Sequence, residues 1–223
     1  MENGSRALIM AATVLLGVFL LSMMIYMFRA GGNVTKQFDE KQSNLQLEYY
    51  NSQFELFDRH NNTITDVISL ANLAYSTNEI NEFSASASVL VEIDIEGKIY
   101  SIPNELKDAT KIWDEERKFL PKRNTILKDG APVDIYTLLN TSVKDLTGQS
   151  SIQKWDMEHG VEDGSVAVKD DELLTQTAFD SNGRRIYKYI FVSKGDNITY
   201  HEVSGRLNSI KLELYTNSEY PTT

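Results

Sequence analysis

The sequence predicts an α+β protein: an N-terminal transmembrane helix, an amphipathic helix, then a single domain with an antiparallel sheet packed on helices. Three observations predict it. Residues 7–28 read ALIMAATVLLGVFLLSMMIYMF, 22 residues without a charge. Apolar residues then recur at helical spacing as far as Tyr75. Strict alternation of apolar and polar residues, closed by turn residues, marks 89–102 and again the last fifty residues.

The uncharged run comes first in order. At about 1.5 Å per residue it spans roughly 33 Å as a helix, enough for a hydrocarbon core of about 30 Å. It is too long for the apolar core of a cleaved signal, and a cut after Ala30 places bulky Phe28 where a small residue is wanted. The expectation is a retained signal-anchor helix contacting the lipid bilayer through residues 7–28, after a short tail over 1–6. Ala7 and Ala11 form a small-xxx-small pair, a spacing common in membrane helices. Arg6 flanks one end; Arg29, Lys36 and Lys41 flank the other, offset by Asp39 and Glu40. Counting cations alone mildly favours a cytosolic domain. The absence of cysteine, the wealth of Asn, Ser and Thr and the β-rich hairpins favour an extracytoplasmic one, and that is the reading adopted.

Gly31-Gly32 costs about 1–2 kcal/mol of helix stability and predicts a kink at the membrane surface. A juxtamembrane amphipathic helix is expected within 29–59, from Thr35 to Arg59. It carries two stripes. Phe38, Leu45, Tyr49 and Leu56 share one line; Leu47, Tyr50, Phe54 and Phe57 lie on the opposite and adjoining side. One stripe suffices to dock a helix on its own domain. The second, Leu47, Tyr50, Phe54 and Phe57, either is wrapped by the domain itself, burying the membrane-distal half on more than one side, or is the candidate interaction stripe for a protein partner or self-assembly.

The α+β domain is expected over 60–215. Thr63 and Asp66 form a capping-box start, and Ile64, Val67, Ile68, Ala71, Ala74 and Tyr75 give one apolar face ending near Asn78. Val89, Val91, Ile93 and Ile95 alternate with polar residues, Glu96-Gly97 turns the chain, and Ile99–Ile102 returns as a hairpin. A helix is expected from Asn104 to Pro121, with Leu106, Ala109, Trp113 and Leu120 on one side. Asp129-Gly130 predicts a turn, and 132–146 a further helix ending at Gly148. Residues 149–171 read as a polar surface loop with a short strand at 165–168. The remainder reads as a four-stranded meander: 173–179, the strong Asn182-Gly183 turn signal, 184–192, 198–203 and 207–215. Residues 216–223 are expected to be a flexible tail.

Composition excludes more than it assigns. Residues 1–28 hold one Glu and one Arg, so the net charge of −10 belongs to the remainder. Such a domain is repelled by nucleic acid, and none is expected as a partner. Zero cysteine excludes disulfides, zinc ribbons and thiol chemistry. His60, His159 and His201 lack metal-ligand spacing, and no nucleophile-elbow, Walker or dinucleotide-binding glycine pattern occurs. Asp170-Asp171-Glu172 lacks the spaced ligands of a calcium loop and reads as a solvated turn. Arg184-Arg185 and Arg206 read as surface charges. Asn-X-Ser/Thr triplets stand at Asn3, Asn33, Asn61, Asn140 and Asn197. The expectation is no enzyme, no cofactor and no metal.

The opening ENGSRALIMAATVLLGVFLLSMMIYMF, the helix LEYYNSQFELF, TDVISLANLA, and the closing RRIYKYIFV and YHEVSGRLNSIKLELY resemble short, uncharacterised bitopic membrane proteins of Gram-positive, clostridial-type genomes. The likeness covers both ends and leaves 80–180 weakly matched. It implies an accessory or minor pilin-like component of Tad-pilus or type II secretion-like machinery. The plan also resembles type IV pilins, but a basic leader ending in glycine and a glutamate at the fifth position of the apolar segment are missing. The expected function is a membrane-anchored structural or interaction protein of a cell-envelope assembly. The alternative is a ligand-binding or sensory ectodomain working with a separate signalling subunit.

Overall fold

A computed structural model describes residues 2–84, 86–103, 123–129 and 131–221, with side chains outside 2–12, 30–40 and 163. The chain divides into two units, Met1–Tyr49 and Tyr50–Thr223.

Helix α1 runs from Glu2 to Glu55. The expected separation into a membrane helix and a second helix at Gly31-Gly32 is not found. A cost of about 1–2 kcal/mol at two glycines is too small to stop a helix already propagating on both sides. Among the described residues no helix is long and apolar enough to cross a membrane; the described side chains within 7–28 begin at Thr13. From Val14 to Phe28 the large apolar side chains are exposed, Phe19 at 63% and Phe28 at 75%.

In the second unit, α1 ends in tightened bonds, Phe57 N–H to Phe54 O at 2.9 Å and Asp58 N–H to Glu55 O at 3.0 Å. Asn62 completes the reversal. Its buried amide donates to Phe57 O and Arg59 O, both at 2.9 Å, and to Phe191 O at 3.2 Å. Helix α2, Ile64–Ile80, begins with the expected capping box: Asp66 N–H donates to Thr63 Oγ1 and Thr63 N–H to Asp66. Its buried face is Ile64, Val67, Ile68, Leu70, Ala71 and Ala74. At its end Asn78 donates to Val89 O and Pro103 O and accepts from Val89 N–H, tying helix to sheet without exposing a polar group.

Strands β1 (Leu90–Ile95) and β2 (Lys98–Ile102) form the expected hairpin. Glu96 and Gly97 both have positive φ, 52° and 82°, the twist that a two-residue hairpin loop needs. Strands β3 (Thr125–Lys128) and β4 (Ala131–Asp134) extend the sheet outward. The helix expected over 132–146 is therefore corrected. Pro132 lies in an edge strand, where its missing N–H costs no ladder bond. Two short helices follow, α3 (Thr137–Asn140) and α4 (Val143–Thr147), the second capped by Ser142 and closed by left-handed Gly148. The helix expected over 104–121 lies outside the described residues.

The loop expected over 149–171 is instead a hairpin, β5 (Ser151–Asp156) with β6 (Gly160–Ala167). A register shift between Gln153 and Lys154 places the buried Ile152 and Trp155 three residues apart. That bulge erased the period-two signal. Strands β7 (Thr177–Phe179) and β8 (Arg185–Tyr187) form a separate ribbon around Asn182-Gly183. Then come β9 (Tyr189–Val192), β10 (Ile198–Tyr200) and β11 (Leu207–Asn217).

The last segments are not a meander, and the sheet is mixed. Strand β11 is its spine. It pairs antiparallel with β9 and β10, and parallel with β1 and β5. Thr216 faces both Tyr189 and Lys154, and Ile210 faces both Val91 and Ile198. Hence β1 and β5 share one edge of β11 end to end, while β9 and β10 share the other. Nor do 216–217 belong to a frayed tail: Thr216 is 1% exposed, and its hydroxyl donates to Gln153 O at 2.9 Å.

One face of the sheet carries Val91, Ile93, Ile95, Phe191, Ile210, Leu212 and Leu214 against α2 and against Phe54 and Phe57 of the α1 terminus. Each fully buried large side chain there contributes about 1.5–3 kcal/mol. The other face carries a smaller cluster, Trp155, Ile190, Val192 and Tyr215, beside a charged network.

Candidate functional site

The expected interaction stripe does not stay free. Phe54 is 1% exposed and Phe57 9%, both in the domain's own core. Tyr50 is half-buried: its ring meets Phe54 at 5.5 Å, its hydroxyl donates to Ala87 O at 3.2 Å, and Arg206 lies over the ring at 5.0 Å. Burial pushes the Tyr50 phenol up to about 12, against the pull of Arg206. Leu47 is partly exposed. The exposed residues belong to the other stripe: Leu45 at 65%, Tyr49 at 70% and Leu56 at 70%. Helical periodicity gives the angle between the two faces and not which face the sheet meets.

The acidic run is also corrected. Asp170 is exposed and pairs with Lys144 at 2.5 Å, but Glu172 is buried. Lys188 Nζ donates to both Glu172 oxygens, at 2.6 and 2.7 Å, and the Tyr189 hydroxyl donates to Oε2 at 2.5 Å. Burial works against the Glu172 anion, but these donors, with Lys169 N–H, hold its carboxyl below the usual range. Removing either partner strands the other charge in the interior. The available signal was Lys188 itself, a lysine inside the apolar run IYKYIFV.

Two of the clefts among the described residues open on the sheet domain. The smaller, about 140 Å³, lies where β1 and β5 part along the same edge of β11. Asp94, Glu96, Gln153 and Glu213 line it. Glu213 accepts from Tyr215 at 3.0 Å and pairs with Lys194 and with Lys211, which also pairs with Asp94 at 2.9 Å. Burial opposes its charge, yet hydrogen bonds from Lys194, Tyr215 and Lys211 hold Glu213 down to about 2. Burial and the Asp94 charge push Glu96 up. Every strong donor here already has a carboxylate, so the network is self-satisfied.

The larger cleft, about 460 Å³, is different. The turn after α1 supplies Arg59, the β5–β6 turn Met157, and the β7–β8 ribbon Arg184, Arg185 and Tyr187. Ile190 forms part of its floor. Three of the chain's eight arginines line it, together with the carboxylates of Asp66 and Glu219. Arg59 binds Asp66 at 2.9 Å and Asn62 at 2.8 Å. Arg184 Nε donates to Asp180 at 2.7 Å, and Asp180 also accepts the Arg184 and Asn182 N–H groups. The Arg184 N–H, chief among these, holds the Asp180 carboxyl below its usual range. Arg185 has no side-chain hydrogen bond or ion pair among the described residues. Sequence reading singled out Arg184-Arg185 as surface charge; the meeting with Arg59, 125 positions earlier, depends on β9 docking beside the α1–α2 turn through the Asn62–Phe191 bridge.

Among the described residues no group of three or more His, Asp or Glu is placed to hold a metal ion. His60 meets the Trp155 ring edge at 5.0 Å, and exposed His159 bonds Asp156 at 3.0 Å. The buried His201 Nδ1 lacks a hydrogen-bond partner among the described residues. Comparison with known proteins finds no matching family model, no matching curated protein and no matching solved structure.

Proposed function

We propose that this is a single-pass membrane protein that acts through protein contacts in a cell-envelope assembly, with residues 7–28 in lipid and the sheet domain on the extracytoplasmic side. The observation that carries this reading is the outward apolar surface of α1 from Val14 to Phe28, where even Tyr26 and Phe28 are more than 70% exposed. With residues 7–13 before it in sequence, it completes 22 residues without a charge. Such a surface in water costs about 25 cal/mol for every Å² of apolar area, and a bilayer removes that cost. The uninterrupted helix from Glu2 to Glu55 also suits the pilin-like, accessory role in a pilus or secretion assembly that the sequence resemblance implies. No catalytic step is assigned.

The test is fractionation of the full chain expressed in cells. The expected result is retention in the membrane pellet through an alkaline carbonate wash, and co-purification from detergent with one defined set of envelope proteins. Charges at Leu16→Lys and Leu20→Lys, each costing about 2.5–3.5 kcal/mol at a helix centre in lipid, abolish retention. Wild-type protein in the soluble fraction without detergent contradicts the reading. The 460 Å³ cleft favours a second reading, a ligand-binding ectodomain that works with a separate signalling subunit.

A further inference from the structure

We propose that the larger cleft binds a small zwitterion, an amino acid or short oligopeptide whose carboxylate meets Arg185 and whose ammonium meets Glu219. This names a ligand class for the ectodomain reading of the sheet domain, and it stands whether or not residues 7–28 lie in lipid.

The first support is how the charges around the cleft divide. Arg59 is held by Asp66 at 2.9 Å and Arg184 by Asp180 at 2.7 Å, so these cations are already matched. What is left on the lining is one cation and one anion, Arg185 and Glu219. Neither side chain makes a hydrogen bond or ion pair among the described residues. The Glu219 charge reaches Arg184 only from beyond ion-pair distance. An anion alone answers Arg185 and leaves Glu219 facing it; a cation alone does the reverse. A ligand that carries both signs answers both, and the guanidinium can take its carboxylate through two parallel N–H donors.

Placement is the second support. Arg185 opens β8, opposite Phe179 of β7, while Glu219 lies just beyond β11, where its N–H donates to Asn217 Oδ1 at 3.0 Å. Separate elements carry the two charges, so the fold and not one local turn sets the gap between them. The third support is Asn217 itself. It lines the cleft although only 8% exposed, and its Nδ2 has no hydrogen-bond partner among the described residues. A buried amide with a donor left over is completed by a ligand oxygen. The volume, about 460 Å³, lies within the range of roughly 300–1,000 Å³ that binding clefts occupy.

The full chain in an uncharged detergent is titrated by calorimetry with glycine, diglycine, triglycine and tetraglycine. Each is also supplied with its amine acetylated and with its carboxylate amidated. One length is expected to bind best, and blocking either of its ends weakens binding by about tenfold or more, the scale of a charge-assisted hydrogen bond. Arg185→Gln is expected to erase the effect of amidation and Glu219→Gln the effect of acetylation, each leaving the other effect in place. Both side chains are exposed, so Tm without ligand stays unchanged. Best binding by glycine assigns the cleft to free amino acids, and best binding by a longer member assigns it to oligopeptides. No binding by any of the four overturns the proposal. So does an acetylated form that binds as tightly as the free one, which leaves a simple anion site at Arg185. An effect of either block that survives its matching variant overturns it as well. Residues 7–28 are the same in both variants, so loss of ligand binding and loss of membrane retention are read separately.

Discussion

The two ends of α1 carry the same side-chain chemistry in opposite surroundings. Between Val14 and Phe28 the large apolar groups face outward; at the other end Phe54 is 1% exposed and packed among Ile, Leu and Val of the sheet domain. The contrast teaches that apolar character alone does not say what covers a surface. At Phe54 the cover is the chain's own sheet. At Phe19 or Phe28 it is not, and lipid is the cover proposed. Leu45 and Leu56 show the same division at close range: equally apolar, they lie on a different stripe of the helix from buried Phe54 and Phe57 and remain exposed.

The largest effects are expected where cover is complete. Phe54→Ala opens a cavity in the core and is expected to destabilise the sheet domain by about 3–5 kcal/mol. Lys188→Met, which strands buried Glu172, is expected to cost a similar 3–5 kcal/mol. Urea unfolding of the full chain in micelles, followed through buried Trp155, measures both. Unchanged midpoints place these side chains outside the cooperative unit.

The Lys194–Glu213 network gives a pH signature on the partly covered face. The Glu213 carboxyl falls from 4.5 to about 2 on folding, so its contribution is present above pH 4.5 and is lost as pH drops through 2. Lys194→Met is expected to lower stability at pH 7 and to flatten the curve between pH 4.5 and 2. Parallel curves for variant and wild type contradict the network. Further down, Thr63→Ala removes the capping box of α2 and is expected to cost about 1 kcal/mol. Leu45→Ala, on the exposed stripe, is expected to stay within about 0.5 kcal/mol of wild type.

Local chemistry made part of the fold legible. The Glu96-Gly97 turn, the Thr63–Asp66 capping box, the Asn182-Gly183 turn and the Gly148 cap depend on neighbours in sequence, and each stands where the pattern placed it. The β5–β6 hairpin was hidden because a bulge broke its alternation. Pro132 misled because an edge strand tolerates proline as readily as a helix start does. Partner choice was not legible at all. Nothing local in Leu207–Asn217 says that it lies parallel to β1 and β5, or in 59–62 that this turn pairs with Phe191 and so brings Arg59 to Arg184 and Arg185. The buried pair of Glu172 and Lys188 likewise joins two separate segments: the apolar run around Lys188 marks a buried lysine but not which carboxylate meets it.

The central claim, that lipid covers the outward face of α1, is tested most directly by chemical accessibility. The chain has no cysteine, so single substitutions give clean probes. Leu20→Cys and Leu45→Cys, each in the full chain in sealed vesicles, are exposed to a membrane-impermeant maleimide. The account predicts that Leu45→Cys labels when its side of the membrane faces the reagent, while Leu20→Cys stays unlabelled in either orientation until sodium dodecyl sulfate dissolves the bilayer. Equal labelling of the two in intact vesicles contradicts it.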